Sequence, residues 1–138
     1  MHEGHDHTIV VGFDGSEASV AALEWAAKEA SLRKGRLCVV RAWLSAEFGT
    51  DDDLRAYTRT KVETEVQKVL GTASGVDWQA EALRGSPAKA LIDHAADADL
   101  LVVGCRGHGG FAGLLLGSVS QQVAAHAVTP AVVIVHHH

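Results

Sequence analysis

The sequence predicts an α/β protein: one open, Rossmann-like sheet of five parallel strands with helices on both faces. Three observations predict it. Apolar runs alternate with helix-patterned segments in the order βαβαβαβαβ, the signature of parallel strands joined by right-handed helical crossovers. Strands two to five read as near-continuous apolar runs, as strands covered on both faces do. The chain has 138 residues, which suits one domain around one core.

Each element has its own signal. Residues 8–13 (TIVVGF) are apolar and β-branched and form strand one. Ser16 is the expected N-cap of the next helix, where Val20, Leu23, Ala27 and Ala30 recur at helical spacing. Gly35 is its stop signal. Residues 36–43 (RLCVVRAW) form strand two. Residues 48–53 read as loop, and Asp51, Asp52 and Asp53 put negative charge where a helix N-terminus favours it. Leu54, Thr58, Val62, Val66 and Val69 then mark one stripe of a charged amphipathic helix. Residues 71–75 end that helix, and 76–84 form a weaker third strand. Ser86 and Pro87 cap and open a helix over 88–96. Residues 99–103 form strand four, 118–127 a helix and 131–135 (AVVIV) strand five. Residues 1–7 are expected to be a flexible polar tail. Residues 136–138 are expected to be the remnant of a purification tag, which leaves one domain over 8–135.

Composition narrows the function classes. Hydrophobic residues make up 47% and charged residues 21%, so the chain is globular rather than disordered. A net charge of −5 argues against a nucleic-acid partner. Cys38 and Cys105 form no C-x-x-C pair, which argues against a disulfide scaffold or a cysteine zinc site and fits a reducing compartment. No secretory leader is expected, and no run approaches the ~20 apolar residues that span a bilayer. A cytoplasmic location without membrane association is the expectation.

Residues 104–118 (GCRGHGGFAGLLLGS) hold six glycines in fifteen residues, directly after strand four. In an open α/β sheet, ligands sit beyond the carboxyl ends of the strands, where strand order reverses. Two loops there are equipped for one: residues 12–16 (GFDGS) and the glycine-rich loop. If strands one and four are neighbours, both line one crevice. Glycine lets a backbone amide approach an oxyanion closely, and successive amides form an anion-binding nest. The helix starting near Gly117 and Ser118 adds free N–H groups and a positive dipole end. Between residues 100 and 138 there is no Asp or Glu, and Arg106 is the single arginine. These features describe a phosphate cradle.

The spacing Gly104-x2-Gly107-x9-Gly117-Ser118 resembles the loop of the ATP-binding subclass of the universal stress protein family. The flanks are similar as well: residues 8–16 (TIVVGFDGS), 39–43 (VVRAW) and 129–133 (TPAVV) resemble the family's first strand with its aspartate, its second strand and its closing segment. The resemblance runs from residue 8 to 135 and implies strand order 3-2-1-4-5. It also implies that Gly104, Gly107, Gly117 and Ser118 hold the phosphates and ribose of ATP, with AMP or ADP as other bound forms; Val119 would follow on the helix, and Val103 and Arg106 are counted among the nucleotide-binding residues. Asp14 would stand at the ribose–phosphate end and hold Mg²⁺, with Gly12 and Phe13 along the same edge. Ala42 would meet adenine through its backbone. Cys105 stands where a small hydroxyl residue is expected. It reads as a small substitute, with an oxidisable thiol beside Arg106 as the alternative.

Other motifs fail on context. Residues 107–112 fit G-x-G-x-x-A, but no acidic residue follows to bind a ribose. His2, Gly4 and His5 fit H-x-G-H, but ahead of strand one instead of after it. His2, His5 and His7 read as tail residues, and His108 and His126 as surface or packing residues. There is no P-loop lysine, and no nucleophile–base–orienter set is evident. The expected function is a nucleotide-dependent stress-response or regulatory module. A slow ATPase or autophosphorylating switch on the same site is the alternative, and an empty structural dimer the third reading. A homodimer through residues 131–135 and a regulatory protein partner of unknown identity are expected, because so apolar an edge strand invites pairing.

Overall fold

The computed structural model describes residues 7–43, 50–71, 75–106 and 118–137. The order of elements is β1 (Thr8–Gly12), α1 (Glu17–Arg33), β2 (Arg36–Trp43), α2 (Asp51–Leu70), β3 (Asp77–Arg84), α3 (Pro87–His94), β4 (Leu100–Arg106), α4 (Ser118–His126) and β5 (Val132–His137). The strands form one parallel sheet in the order β3-β2-β1-β4-β5. β1 and β4 are therefore neighbours, paired from Ile9↔Leu100 to Val11↔Val102, and the order reverses between them.

The central strands are apolar because both their faces are covered. On one face Ile9, Val11, Leu37, Val39 and Val102 pack with Leu23, Ala26 and Ala30 of α1 and Val62 and Val66 of α2. On the other, Val10, Cys38, Val40, Leu101 and Val103 pack with Ala88 and Leu91 of α3 and Val123 of α4. Each fully buried Val, Leu or Ile side chain contributes about 1.5–3 kcal/mol relative to exposure. Alternate residues of each strand serve the two clusters, as the two-residue period of a strand requires.

Helix caps depart from expectation in instructive ways. Ser16 caps α1 as expected, its hydroxyl accepting from the Ser19 amide at 3.2 Å. The left-handed residue that ends α1 is Lys34 (φ 54), not Gly35. Gly35 instead lets the chain pass close to His7: a Cβ there would lie 2.6 Å from the His7 carbonyl oxygen, which accepts from the Arg36 amide at 2.9 Å. Helix α2 begins at Asp51, inside the segment expected to be loop, because the Thr50 hydroxyl caps it by accepting from Asp53 at 3.1 Å. Ser86 sits at the N-cap of α3 but its side chain makes no capping hydrogen bond.

The largest boundary shift is in the last two strands. β4 was expected to end at Val103 and runs to Arg106, and β5 was expected to end at Val135 and runs to His137. The two extensions pair with each other, Cys105↔His136 and Arg106↔His137. His136 and His137 thus belong to the sheet and Cys105 is a buried strand residue, 2% exposed, rather than a loop residue. Residues 1–6, expected to be tail, lie outside the described residues.

Candidate functional site

Three strands, β1, β2 and β4, and the starts of three helices, α1, α3 and α4, converge at the carboxyl edge of the sheet. Gly12, Phe13, Asp14, Ser16, Ser19, Val40, Arg41, Ala42, Pro87, Leu91, Val103, Gly104 and Val119 line one cavity there of about 140 Å³. Their origins explain its character. Val40 and Ala42 stand on the same face of β2, and Val103 of β4 stands on that face beside them. Pro87 and Leu91, one helical turn apart on α3, form the opposite wall. A Cβ on Gly12 would lie 2.8 Å from Leu91 Cδ1, so the crevice is tight where β1 ends. The result is an apolar slot with a polar rim, a shape suited to a flat base carrying a polar substituent.

The rim is built by the loop after β1. Phe13, 3% exposed, extends the β1–β2 ladder by donating its amide to the Val40 carbonyl at 2.9 Å. Asp14 follows it at the surface, and its Oδ1 accepts from the Ser16 amide at 2.9 Å. Gly15 has φ 88, which a side chain would strain. Partial burial alone would raise the Asp14 pKa; hydrogen bonds from the Ser16 hydroxyl and amide and the Ser19 hydroxyl, with the Arg41 charge, outweigh it and hold the carboxyl below its ordinary 3.8. Asp14 is thus a carboxylate poised beside the crevice.

Of the residues singled out from the sequence, Gly12, Phe13, Asp14, Ala42, Val103, Gly104 and Val119 meet in this one cavity. Ser118 is the exposed first residue of α4, and Arg106 the last residue of β4. Gly107 and Gly117 lie outside the described residues. Reasoning from sequence placed Ser16 in a loop lining the crevice but missed Ser19, Val40, Arg41, Pro87 and Leu91 as wall residues. Two signals could have found three of them: strand alternation through Ala42 for Val40, and the four-residue spacing of Pro87 and Leu91 on a helix that starts at the sheet's carboxyl edge. Gly104 also meets a packing need not read from the sequence, since a Cβ there would collide with the Ala18 carbonyl of α1.

Among the described residues no group of three His, Cys, Asp or Glu side chains is arranged for a metal ion. Asp14 offers a single carboxylate, which fits Mg²⁺ when phosphate oxygens and water complete the octahedron. No helix among the described residues is long and apolar enough to cross a membrane.

A parallel 3-2-1-4-5 sheet with a crevice at its β1/β4 switch point defines an open, Rossmann-like α/β fold. The model of the universal stress protein family matches residues 7–136, and the chain belongs to that family. A universal stress protein of Mycobacterium tuberculosis is 34% identical over 136 residues, covering 91% of this chain and 44% of its own length. The chain therefore spans under half the length of such curated relatives. A universal stress protein solved in complex with cAMP is 33% identical, with a TM-score of 0.66, over 94% of this chain and 96% of that one. Another, from Archaeoglobus fulgidus in complex with dAMP, is 25% identical, with a TM-score of 0.64, over 92% and 96%.

Proposed function

We propose that this chain binds an adenine nucleotide in the β1/β4 crevice and uses its occupancy as a stress-response or regulatory signal. The observation that carries the reading is the convergence of Gly12, Asp14, Ala42, Val103, Gly104 and Val119 on one slot at the switch point. Complexes of two relatives with cAMP and dAMP support adenine as the base. ATP is the nucleotide proposed, with AMP and ADP as products or substitutes. The base would lie between Ala42 and Leu91; Gly104, Gly107, Gly117 and Ser118 are proposed to hold the phosphates, and Arg106 to add positive charge, on the spacing of the sequence alone. Mg²⁺ bound to the phosphates takes Asp14 as its protein ligand.

The same reading takes the protein to be cytoplasmic and homodimeric. β5 is an edge strand of the sheet, and no described residue pairs with its outer side, which a second copy would take about a two-fold axis. A regulatory protein partner would then read the nucleotide state of the dimer. Mass spectrometry of gently purified protein tests the central part. Co-purified ATP, ADP or AMP at near one per chain supports it, whereas nucleotide-free protein that also gives no heat on titration with ATP or AMP overturns it.

A further inference from the structure

Arg41 lies on β2 beside the crevice, yet its guanidinium turns away from the slot into the groove between the β1–α1 loop and α2. Phe13, Asp14, Gly15, Lys61, Glu65 and Lys68 line that groove with it. Arg41 makes three contacts there. Its Nε donates to the Phe13 carbonyl at 3.0 Å. Its Nη2 donates to Glu65 Oε1 of α2 at 2.8 Å. Its guanidinium carbon stands 5.3 Å from the centroid of the Phe13 ring. The Arg41 side chain is 14% exposed and that of Glu65 28%, so the pair is largely withdrawn from water. The Arg41 hydrogen bond is the main reason the Glu65 carboxyl titrates below its ordinary value.

The geometry joins α2 to the rim of the crevice through one side chain. Phe13 is held at both ends of its backbone by β2, its amide on Val40 and its carbonyl on Arg41. Asp14 is the next residue. Gly15 closes over the ion pair so tightly that a Cβ would lie 3.1 Å from Glu65 Oε1 and 3.3 Å from Arg41 Nη2. A planar guanidinium can hold a carbonyl, a carboxylate and a ring face together, which an ammonium cannot. We propose that Arg41 and Glu65 are positioning residues: together they hold the loop of residues 12–16 in the form that admits nucleotide, so that Glu65, on α2 and outside the slot, sets nucleotide affinity. The inference rests on the nucleotide reading of the crevice.

The test is a titration of Arg41→Met, Arg41→Lys, Glu65→Gln and the double variant Arg41→Met/Glu65→Gln with AMP and with adenosine, alongside amide exchange at Ser16. Coupling of this kind between contacting residues is expected to weaken AMP binding in Arg41→Met by about tenfold. Adenosine binding falls by the same factor, because the loop and not a phosphate charge is affected. Arg41→Lys loses most of the affinity despite keeping the charge. Glu65→Gln loses less, and the double variant matches Arg41→Met alone. The Ser16 amide, bonded to Asp14, exchanges faster in each variant while Val10 in β1 does not. Wild-type affinity in Arg41→Met or Arg41→Lys, a loss confined to AMP, or losses that multiply in the double variant would each overturn the proposal. If the wild type binds neither ligand, the nucleotide reading itself fails. Ser16 exchange then decides alone whether Arg41 holds the loop, and unchanged exchange rejects that too.

Discussion

Gly104, at the crevice end of β4, lies directly against Ala18 in the first turn of α1. A Cβ on Gly104 would fall onto the Ala18 carbonyl and stand 3.1 Å from the Ser19 amide. The contact seats the start of α1 on the sheet, beside the Ser16 cap and Asp14. Gly104→Ala is therefore expected to destabilise the fold by about 1–3 kcal/mol, the usual cost of overpacking a site whose neighbour is backbone. Urea unfolding measures it, and an unchanged midpoint would show that the contact does not constrain the fold.

Asp14 gives a pH prediction with a definite sign. Its folded pKa is depressed below the ordinary 3.8, so its contribution to stability is present above that value and is lost as pH falls through the folded pKa. Asp14→Asn should accordingly lose less stability than wild type between pH 4 and the strongly acidic range, where wild type protonates this carboxylate. Thermal melts across about pH 2–5 check this. A wild type and variant that fall in parallel would remove the carboxylate's role in holding the loop.

The same substitution tests the metal. With Mg²⁺ on the phosphates and Asp14 as ligand, Asp14→Asn should weaken ATP by roughly tenfold in Mg²⁺, a step of about 1.4 kcal/mol. The loss in EDTA should be smaller. Calorimetric titrations under the two conditions compare them, and equal losses would place no metal on Asp14.

Much of the fold was legible because strand and helix periods are local. Ile9, Val10 and Val11 announce a buried strand, and Ser16 announces the helix behind it. The order 3-2-1-4-5 followed from family resemblance, since strand neighbours are a tertiary property. The ends of β4 and β5 were not legible. Cys105, Arg106, His136 and His137 have no apolar alternation, and they are strand because each extension finds its partner in the other. Gly35 is not the left-handed residue that ends α1, and Gly104 has a packing need against Ala18 that its place in the glycine-rich stretch did not announce. Glycine serves close packing and unusual backbone angles alike, and only the neighbour's position tells them apart. Arg41 escaped notice because its partners, Phe13 and Glu65, are distant in sequence.

The strand register sharpens the dimer test. The Leu101 amide donates to the Ala131 carbonyl at 3.0 Å, so residues 131, 133 and 135 direct their backbone groups at β4. The groups of Val132 and Ile134 face the open edge. A proline at Ile134 removes an edge donor and spares the internal ladder. Ile134→Pro should be a folded monomer by light scattering when wild type is a dimer. A dimeric variant, or a monomeric wild type at micromolar concentration, would refute pairing through β5.

The most direct measurement is a two-dimensional amide NMR titration of the wild-type chain with AMP. The expected result is a saturable set of shifts confined to Gly12, Phe13, Asp14, Ala42, Gly104 and Val119, with Lys61 and Lys68 on α2 little affected. Shifts gathered instead on the α2 groove, or no shifts at any concentration, would contradict an adenine nucleotide site in the β1/β4 crevice.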